Sequence, residues 1–90
     1  MLKKISIVIF ADPGHAWARV PKAKLKKLGI ADKISAYSYQ RGDYAYLEED
    51  CDLGVYINAL KSKNYCDFNF KEYHTNRQSK IRGYNYYRSE

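Results

Sequence analysis

The N-terminal pattern of apolar and polar positions predicts two β-strands. Residues 5–11 are rich in β-branched side chains and almost continuously apolar, which is typical of a strand covered on both faces. Residues 12–14 (Asp-Pro-Gly) have turn-forming chemistry, because proline fixes one backbone dihedral and glycine accepts a positive one. Residues 15–20 then show the period-2 alternation that is typical of a second strand. We therefore expect the two strands to form a β-hairpin.

A short helix is predicted to follow this hairpin. Pro21 suits the first helical position, where a missing N–H costs nothing. Leu25 and Leu28 are i, i+3 neighbours on its apolar side, and Gly29 is placed to end the helix. Ile30 should then contact Leu25, as in a Schellman motif.

A second hairpin is predicted from residues 34–39 and 44–47, with its turn near residues 41–43. Because side chains alternate between the faces of a strand, the tyrosines of each strand should share one face. Cross-strand aromatic pairing favours bringing the two faces together. The tyrosines concerned are Tyr37, Tyr39, Tyr44 and Tyr46.

The next stretch predicts a second helix and a fifth strand. Asp50 or Asp52 is expected to cap the helix, whose buried stripe has helical spacing. The stripe consists of Leu53, Tyr56, Ile57 and Leu60. Cys66, Phe68 and Phe70 then occupy every second position, which is typical of one face of a strand. The resulting order, ββαββαβ, predicts an α+β fold: an antiparallel sheet of about five strands with two helices on one side.

The chain is expected to form one small domain followed by a distinct segment. We assign residues 1–74 to a single α+β domain and residues 75–90 to a basic, tyrosine-rich C-terminal segment. That segment is predicted either to end as a last strand at Tyr87 or to be a tail ordered by a partner.

The distribution of charge suggests a macromolecular partner. The net charge is +6, with basic regions at residues 1–34 and 61–90 and an acidic region between them. Such a chain can bind nucleic acid, an anionic protein surface or a second copy of itself. Cations bind phosphates and aromatic rings stack on bases, while Tyr and Arg are also enriched at protein hot spots. The candidate contacts are Lys24, Lys26, Lys27, Arg77, Lys80, Arg82, Tyr84, Tyr86 and Tyr87.

Catalytic and metal-binding motifs are not evident, so we expect neither an enzyme nor a cofactor. The acids Glu48, Glu49, Asp50 and Asp52 with His15 and His74 could suggest a metal site, but helix capping explains the acids. Cys51 and Cys66 lie in apolar-patterned elements and are expected to be buried thiols. No apolar run has membrane-spanning length, and a cytoplasmic location is expected.

Several short motifs resemble a group of proteins encoded by bacteriophages and prophages. The resemblance rests on Pro13-Gly-His-Ala-Trp17, Val20-Pro21, Leu28-Gly-Ile30, Tyr37-Ser-Tyr39 and Tyr46-Leu-Glu-Glu-Asp50. It implies an accessory protein that acts stoichiometrically on a host protein or on nucleic acid. Together with the small size, the segregated charge and the tyrosine-rich C-terminal segment, this leads us to expect a non-enzymatic protein that binds a host protein or ribonucleoprotein complex, such as an inhibitor of a CRISPR or restriction system in the bacterial cytoplasm. The alternative is a small DNA- or RNA-binding protein with a basic, tyrosine-rich surface. A homodimer is compatible with both, and a small hydrolase or nuclease ranks third.

Overall fold

The computed structural model describes residues 3–89 and has the predicted α+β class. Its strands form one mixed sheet in the order β5-β1-β2-β4-β3-β6. They are β1 (Lys3–Ala11), β2 (Ala16–Pro21), β3 (Tyr39–Arg41), β4 (Tyr44–Glu48), β5 (Tyr65–His74) and β6 (Asn85–Tyr86). The helices are α1 (Lys22–Lys27) and α2 (Asp52–Ser62), with short 3-10 turns at Ala31–Lys33 and Lys80–Gly83. None of the helices in residues 3–89 is long and apolar enough to cross a membrane.

An antiparallel sheet of about five strands was expected, but the described sheet is mixed and has six strands. β5 pairs with β1 in parallel, and β6 adds a sixth strand antiparallel to β3. The parallel pair arises because α2 connects β4 to β5, and a helical crossover returns the chain in its original direction. A tight turn instead reverses the chain direction, so the hairpin pairs β1–β2 and β3–β4 are antiparallel.

The main core lies between one face of the sheet and both helices. Alternation places Ile7 and Ile9 of β1 on this face, and Ile9 pairs with Ala18 of β2. Leu25 of α1 and Leu60 of α2 are fully buried against them. Burying a leucine contributes about 1.5–3 kcal/mol relative to leaving it exposed, so these contacts hold both helices on the same side.

The end of α1 confirms the predicted Schellman motif. The Ile30 N–H donates to the Leu25 carbonyl at 3.0 Å, and the Gly29 N–H donates to Lys26 at the same distance. Gly29 has a φ of +73°, which only glycine adopts without strain. Pro21 lies at the N-cap, one residue before its expected position.

The predicted strand at residues 34–39 is mostly absent, because a buried carboxylate holds this stretch in an irregular conformation. Asp52 is only 2% exposed and accepts hydrogen bonds from the Ser35 N–H and hydroxyl. It also accepts one from the Ser38 hydroxyl at 2.5 Å. Since these bonds replace strand pairing, β3 begins only at Tyr39.

The cap of α2 also differs from the expectation that Asp50 or Asp52 would supply it. Instead, the Glu48 carboxylate accepts hydrogen bonds from the N–H groups of Cys51 at 2.6 Å and Asp52 at 3.0 Å. The thiols of Cys51 and Cys66 were expected to be buried, but both are exposed. Cys51 precedes the helix, and Cys66 lies on the edge strand beside a register shift.

Candidate nucleic-acid interface

The side of the sheet opposite the helices carries aromatic and basic side chains. Residues paired across neighbouring strands share a face, and the pairs Phe10–Trp17, Arg19–Tyr46 and Tyr39–Tyr46 all point away from the core. Neither α1 nor α2 packs here. We call this surface the helix-free face, and its rings and arginines are Phe10, Trp17, Arg19, Tyr39, Arg41, Tyr44, Tyr46, Tyr73 and Tyr86.

The rings on the helix-free face form two stacked pairs at opposite ends of the sheet. Phe10 of β1 stacks on Tyr73 of β5 with centroids 5.7 Å apart and planes inclined by 23°. Tyr39 of β3 stacks on Tyr86 of β6 at 5.6 Å and 24°. Tyr73 is 54% and Tyr86 66% exposed. Each pair therefore keeps a ring that is accessible to a planar ligand.

Two exposed arginines lie among these rings. The guanidinium of Arg19 lies 5.4 Å from the Phe10 centroid and 5.2 Å from that of Tyr44. The guanidinium of Arg41 lies 5.1 Å from the Tyr84 centroid. Stacking on aromatic rings orients an arginine, whose planar fork of N–H donors matches phosphate oxygens. The arginines are thus held beside the surfaces on which bases would stack.

The C-terminal segment crosses the helix-free face from β5 to the opposite edge. It leaves β5 with the Thr75 N–H donating to the Ala11 carbonyl at 3.0 Å. Arg82 then lies over Trp17 at 5.3 Å, which leaves Trp17 only 3% exposed. Ile81 is also buried within this crossing. The segment therefore separates the face into two areas, each with one stacked pair.

Asp12 anchors the crossing at the end of β1. Its side chain is 1% exposed and pairs with Arg82, with Nε 2.7 Å from Oδ2. It also accepts hydrogen bonds from the N–H groups of Ser79, Gly14 and His15, each at 2.9 Å. The Arg82 guanidinium, followed by these N–H donors, holds the pKa of Asp12 far below its ordinary range. Arg82 therefore serves the fold, since its charge is already paired.

A groove lies between the C-terminal segment and the stacked pair on β1 and β5. Its volume is about 320 Å³, with Phe10 and Tyr73 on one side. Arg77 and Lys80, both exposed, line it from the C-terminal segment. A groove that combines a stacked aromatic pair with two cations can hold a base and its phosphate together.

The structure divides the predicted contact residues between two surfaces. Arg77, Lys80 and Tyr84 lie with Tyr86 on or beside the helix-free face. The lysines Lys24, Lys26 and Lys27 belong to α1, which covers the other side of the sheet. Lys24 donates to the Tyr65 hydroxyl at 3.2 Å, and this hydrogen bond is the main cause of the lowered pKa of Tyr65.

Tyr87 was predicted to contact a macromolecule, but the structure places it in the core. It is only 5% exposed, and its hydroxyl donates to the Ala31 carbonyl at 2.6 Å. Burial raises its pKa. A ring held in this way cannot stack on a ligand, although its neighbour Tyr86 can.

The sequence interpretation missed the strand residues of this surface, notably Phe10, Arg19 and Tyr73. The sequence feature that could have identified them is the spacing of aromatic residues at every second position, which is visible at Tyr44 and Tyr46. Alternation assigns residues of one strand to a shared face, but only the register joins faces from different strands. Within residues 3–89, no three His, Cys, Asp or Glu side chains are grouped so that they could hold a metal ion.

No protein-family model, curated protein or solved structure matches this chain. The described residues form a mixed sheet with helices on one face and aromatic and cationic groups on the other.

Proposed function

We propose that this protein binds single-stranded nucleic acid on the helix-free face. The observation that carries this proposal is the alternation of exposed rings with arginines on an open sheet surface. Sheets that present aromatic rings in this manner stack unpaired bases, and neighbouring cations bind the phosphates. The net charge of +6 favours the same class of ligand.

The arrangement favours a single strand over a duplex, because the flat faces of bases are accessible only when the bases are unpaired. The stacked pairs lie on the β5–β1 and β3–β6 edges, about four strand spacings or roughly 19 Å apart. A strand that reached both pairs would pass Arg19 and Arg41 and would also cross over the C-terminal segment, whose Arg82 lies on Trp17 between them. The role proposed is binding rather than catalysis.

Fluorescence anisotropy with labelled oligouridylate and oligodeoxythymidylate tests this proposal. Replacing Arg19 and Arg41 by Gln should weaken binding about tenfold or more, since each phosphate contact contributes to affinity. Lys26→Gln with Lys27→Gln removes the same charge from α1 and serves as the matched control. Equal losses in the two double variants, or no binding at low salt, would refute the helix-free face as the site.

Salt dependence and a conservative substitution sharpen this test. If Arg19, Arg41, Arg77 and Lys80 contact phosphates, the logarithm of affinity should fall with the logarithm of salt concentration with a slope of about −2.8. Tyr73→Ala should weaken binding about tenfold through lost stacking, whereas Tyr73→Phe should retain it. A duplex of the same length should compete poorly.

A second candidate function, docking onto a host protein, is favoured by one observation. Tyr37 is 81% exposed and lies with Ala36, Tyr39 and Tyr86 around a shallow hollow. Tyrosines in such positions are typical of protein hot spots. With the resemblance to phage and prophage accessory proteins, this favours an inhibitor of a host defence complex such as a CRISPR or restriction system. Both candidates act in the bacterial cytoplasm.

A pull-down from host lysate, with and without nuclease, distinguishes the two candidates. A discrete host protein that survives nuclease and is lost with Tyr37→Ala would favour docking. Capture that nuclease abolishes, and that Tyr37→Ala leaves intact, would favour direct nucleic-acid binding.

A further inference from the structure

The edge strand β5 has an open side. It is ten residues long and lies at the end of the sheet, so within residues 3–89 its neighbouring strand is β1 alone. The Thr75 N–H donates to Ala11 of β1, and backbone groups alternate in direction along a strand. The N–H and C=O groups of Phe68 and Phe70 therefore point away from β1. A long edge of this kind is a template for pairing with another strand.

An exposed aromatic pair lies along the same edge. Phe68 and Phe70 stack on each other with centroids 6.4 Å apart and planes inclined by 21°. They share the helix side of the sheet, because Phe70 pairs with the buried Ile7. Phe70 nevertheless remains 49% exposed. A second strand beside β5 would place more apolar surface against the Phe70 ring.

We propose that two copies of this chain pair antiparallel along β5, about a twofold axis that passes beside Asn69. In this register Asp67 of each copy lies opposite Lys71 of the other, and Phe68 lies opposite Phe70. Symmetry forms each pair twice, giving two opposite-charge pairs and a cluster of four phenylalanines. Both kinds of cross-strand pair stabilise antiparallel sheets.

The register is specified by the sequence of β5. A twofold pairing must keep helix-side residues opposite helix-side residues, so the nearest alternatives place the axis one residue away in either direction. Centring on Phe68 or Phe70 leaves one phenylalanine opposite itself but loses both charge pairs and both Phe68–Phe70 contacts. With the axis at Phe70, for example, Phe68 lies opposite Glu72 and Asn69 lies opposite Lys71. This self-complementarity favours a second copy over a strand of another protein.

The dimer would be one continuous sheet with both helix layers on one side. The axis is perpendicular to the sheet, so the helix-free faces of the two copies lie side by side. The pairing depends on β5 alone and is independent of what that face binds.

Sedimentation velocity over a concentration series tests the proposal. The unmodified chain should dimerise reversibly, and Asp67→Lys, which places two lysines opposite each other twice, should raise the dissociation constant about tenfold or more. The charge-swapped double variant, Asp67→Lys with Lys71→Asp, should recover most of the affinity. Asp43→Lys, in the β3–β4 turn, should leave it unchanged. A chain that stays monomeric into the millimolar range, or a double variant no better than Asp67→Lys, would overturn the proposal.

Disulfide cross-linking tests the register independently of charge. In a chain with Cys51→Ser and Cys66→Ser, Asn69→Cys should cross-link two copies under mild oxidation. The axis holds this position opposite itself in a non-hydrogen-bonded pair, with Cα atoms about 4.5 Å apart. Lys71→Cys in the same background is the control and should cross-link at least about tenfold more slowly, because that position lies opposite 67. Equal rates for the two variants would overturn the register, and circular dichroism of each variant shows whether it has folded.

Discussion

Arg82 pairs with Asp12 across 70 positions of the chain, with a Nε–Oδ2 distance of 2.7 Å. This ion pair fastens the C-terminal segment over the sheet, because Arg82 also lies over the Trp17 ring. The same contact thereby determines which parts of the helix-free face remain open to a ligand.

We predict that Asp12 makes stability fall as the solution becomes acidic. Its pKa is depressed below the ordinary value of 3.8, so its contribution is fully present above that value and is lost as the pH falls further. Asp12→Asn should lower the melting temperature at neutral pH, and the difference from the unmodified chain should shrink below pH 3.8. Thermal melts across the pH range measure this. Asp43→Asn, at an exposed turn, is the control, and a constant difference for Asp12→Asn would contradict the prediction.

We predict that Ser38→Ala destabilises the fold by about 1–3 kcal/mol, because it leaves two polar groups short of a partner. The Ser38 hydroxyl donates to the buried Asp52 carboxylate and accepts from the Glu48 N–H at 3.0 Å. Urea unfolding gives the change in free energy. Ser62→Ala, at the exposed end of α2, should change it by less than about 0.5 kcal/mol. Equal effects of the two substitutions would show that the network contributes little.

Tyr87→Phe should destabilise the protein by about 1 kcal/mol while leaving nucleic-acid affinity unchanged. The substitution removes the hydrogen bond to the Ala31 carbonyl but keeps the buried ring. Tyr86→Ala should have the opposite profile, with weaker binding and little loss of stability, since that ring is 66% exposed. Urea unfolding and anisotropy on the two variants check this. Weaker binding by Tyr87→Phe would show that Tyr87 belongs to the contact surface.

Tyr56 and Tyr65 should ionise at different pH values, because their pKa values are shifted in opposite directions. Burial raises the pKa of Tyr56 from 10.0 to about 12, whereas the hydrogen bond from Lys24 lowers that of Tyr65. Because the folded chain holds Tyr56 neutral, its contribution to stability is complete below pH 10.0 and is lost between there and about pH 12. Tyrosinate absorbance during an alkaline titration should lose its last step in Tyr56→Phe and its first step in Tyr65→Phe. An unchanged titration curve in either variant would contradict the assignment.

Local patterns were sufficient to predict much of the fold. The first hairpin and the Schellman motif at Gly29 depend on neighbouring residues, and both were anticipated. The parallel β1–β5 pair depends on where α2 returns the chain, which no short window of sequence contains. The irregular stretch before Tyr39 depends on a carboxylate from Asp52, in a different element.

The candidate site was predictable only in part, for the same reason. The cations Arg77 and Lys80 were expected from composition, and the structure places them beside Phe10 and Tyr73. Strand geometry puts Phe10 on the face opposite Ile7 and Ile9, but the continuously apolar sequence does not show that this face is open, and the register that brings Tyr73 beside Phe10 is not visible in it either. Tyr87 had the same local context as Tyr86, and only tertiary packing separates their roles.

Both edges of the sheet come from the final third of the chain, since β5 adds to β1 and β6 adds to β3. During synthesis, β1 must therefore wait for residues about sixty positions later before it is flanked on both sides. Closing so long a loop slows folding, and an early-terminated nascent chain would present uncovered strands to its neighbours. The native sheet is thus completed only after residue 86 has been synthesised, and truncated products should be substrates for chaperones and proteases.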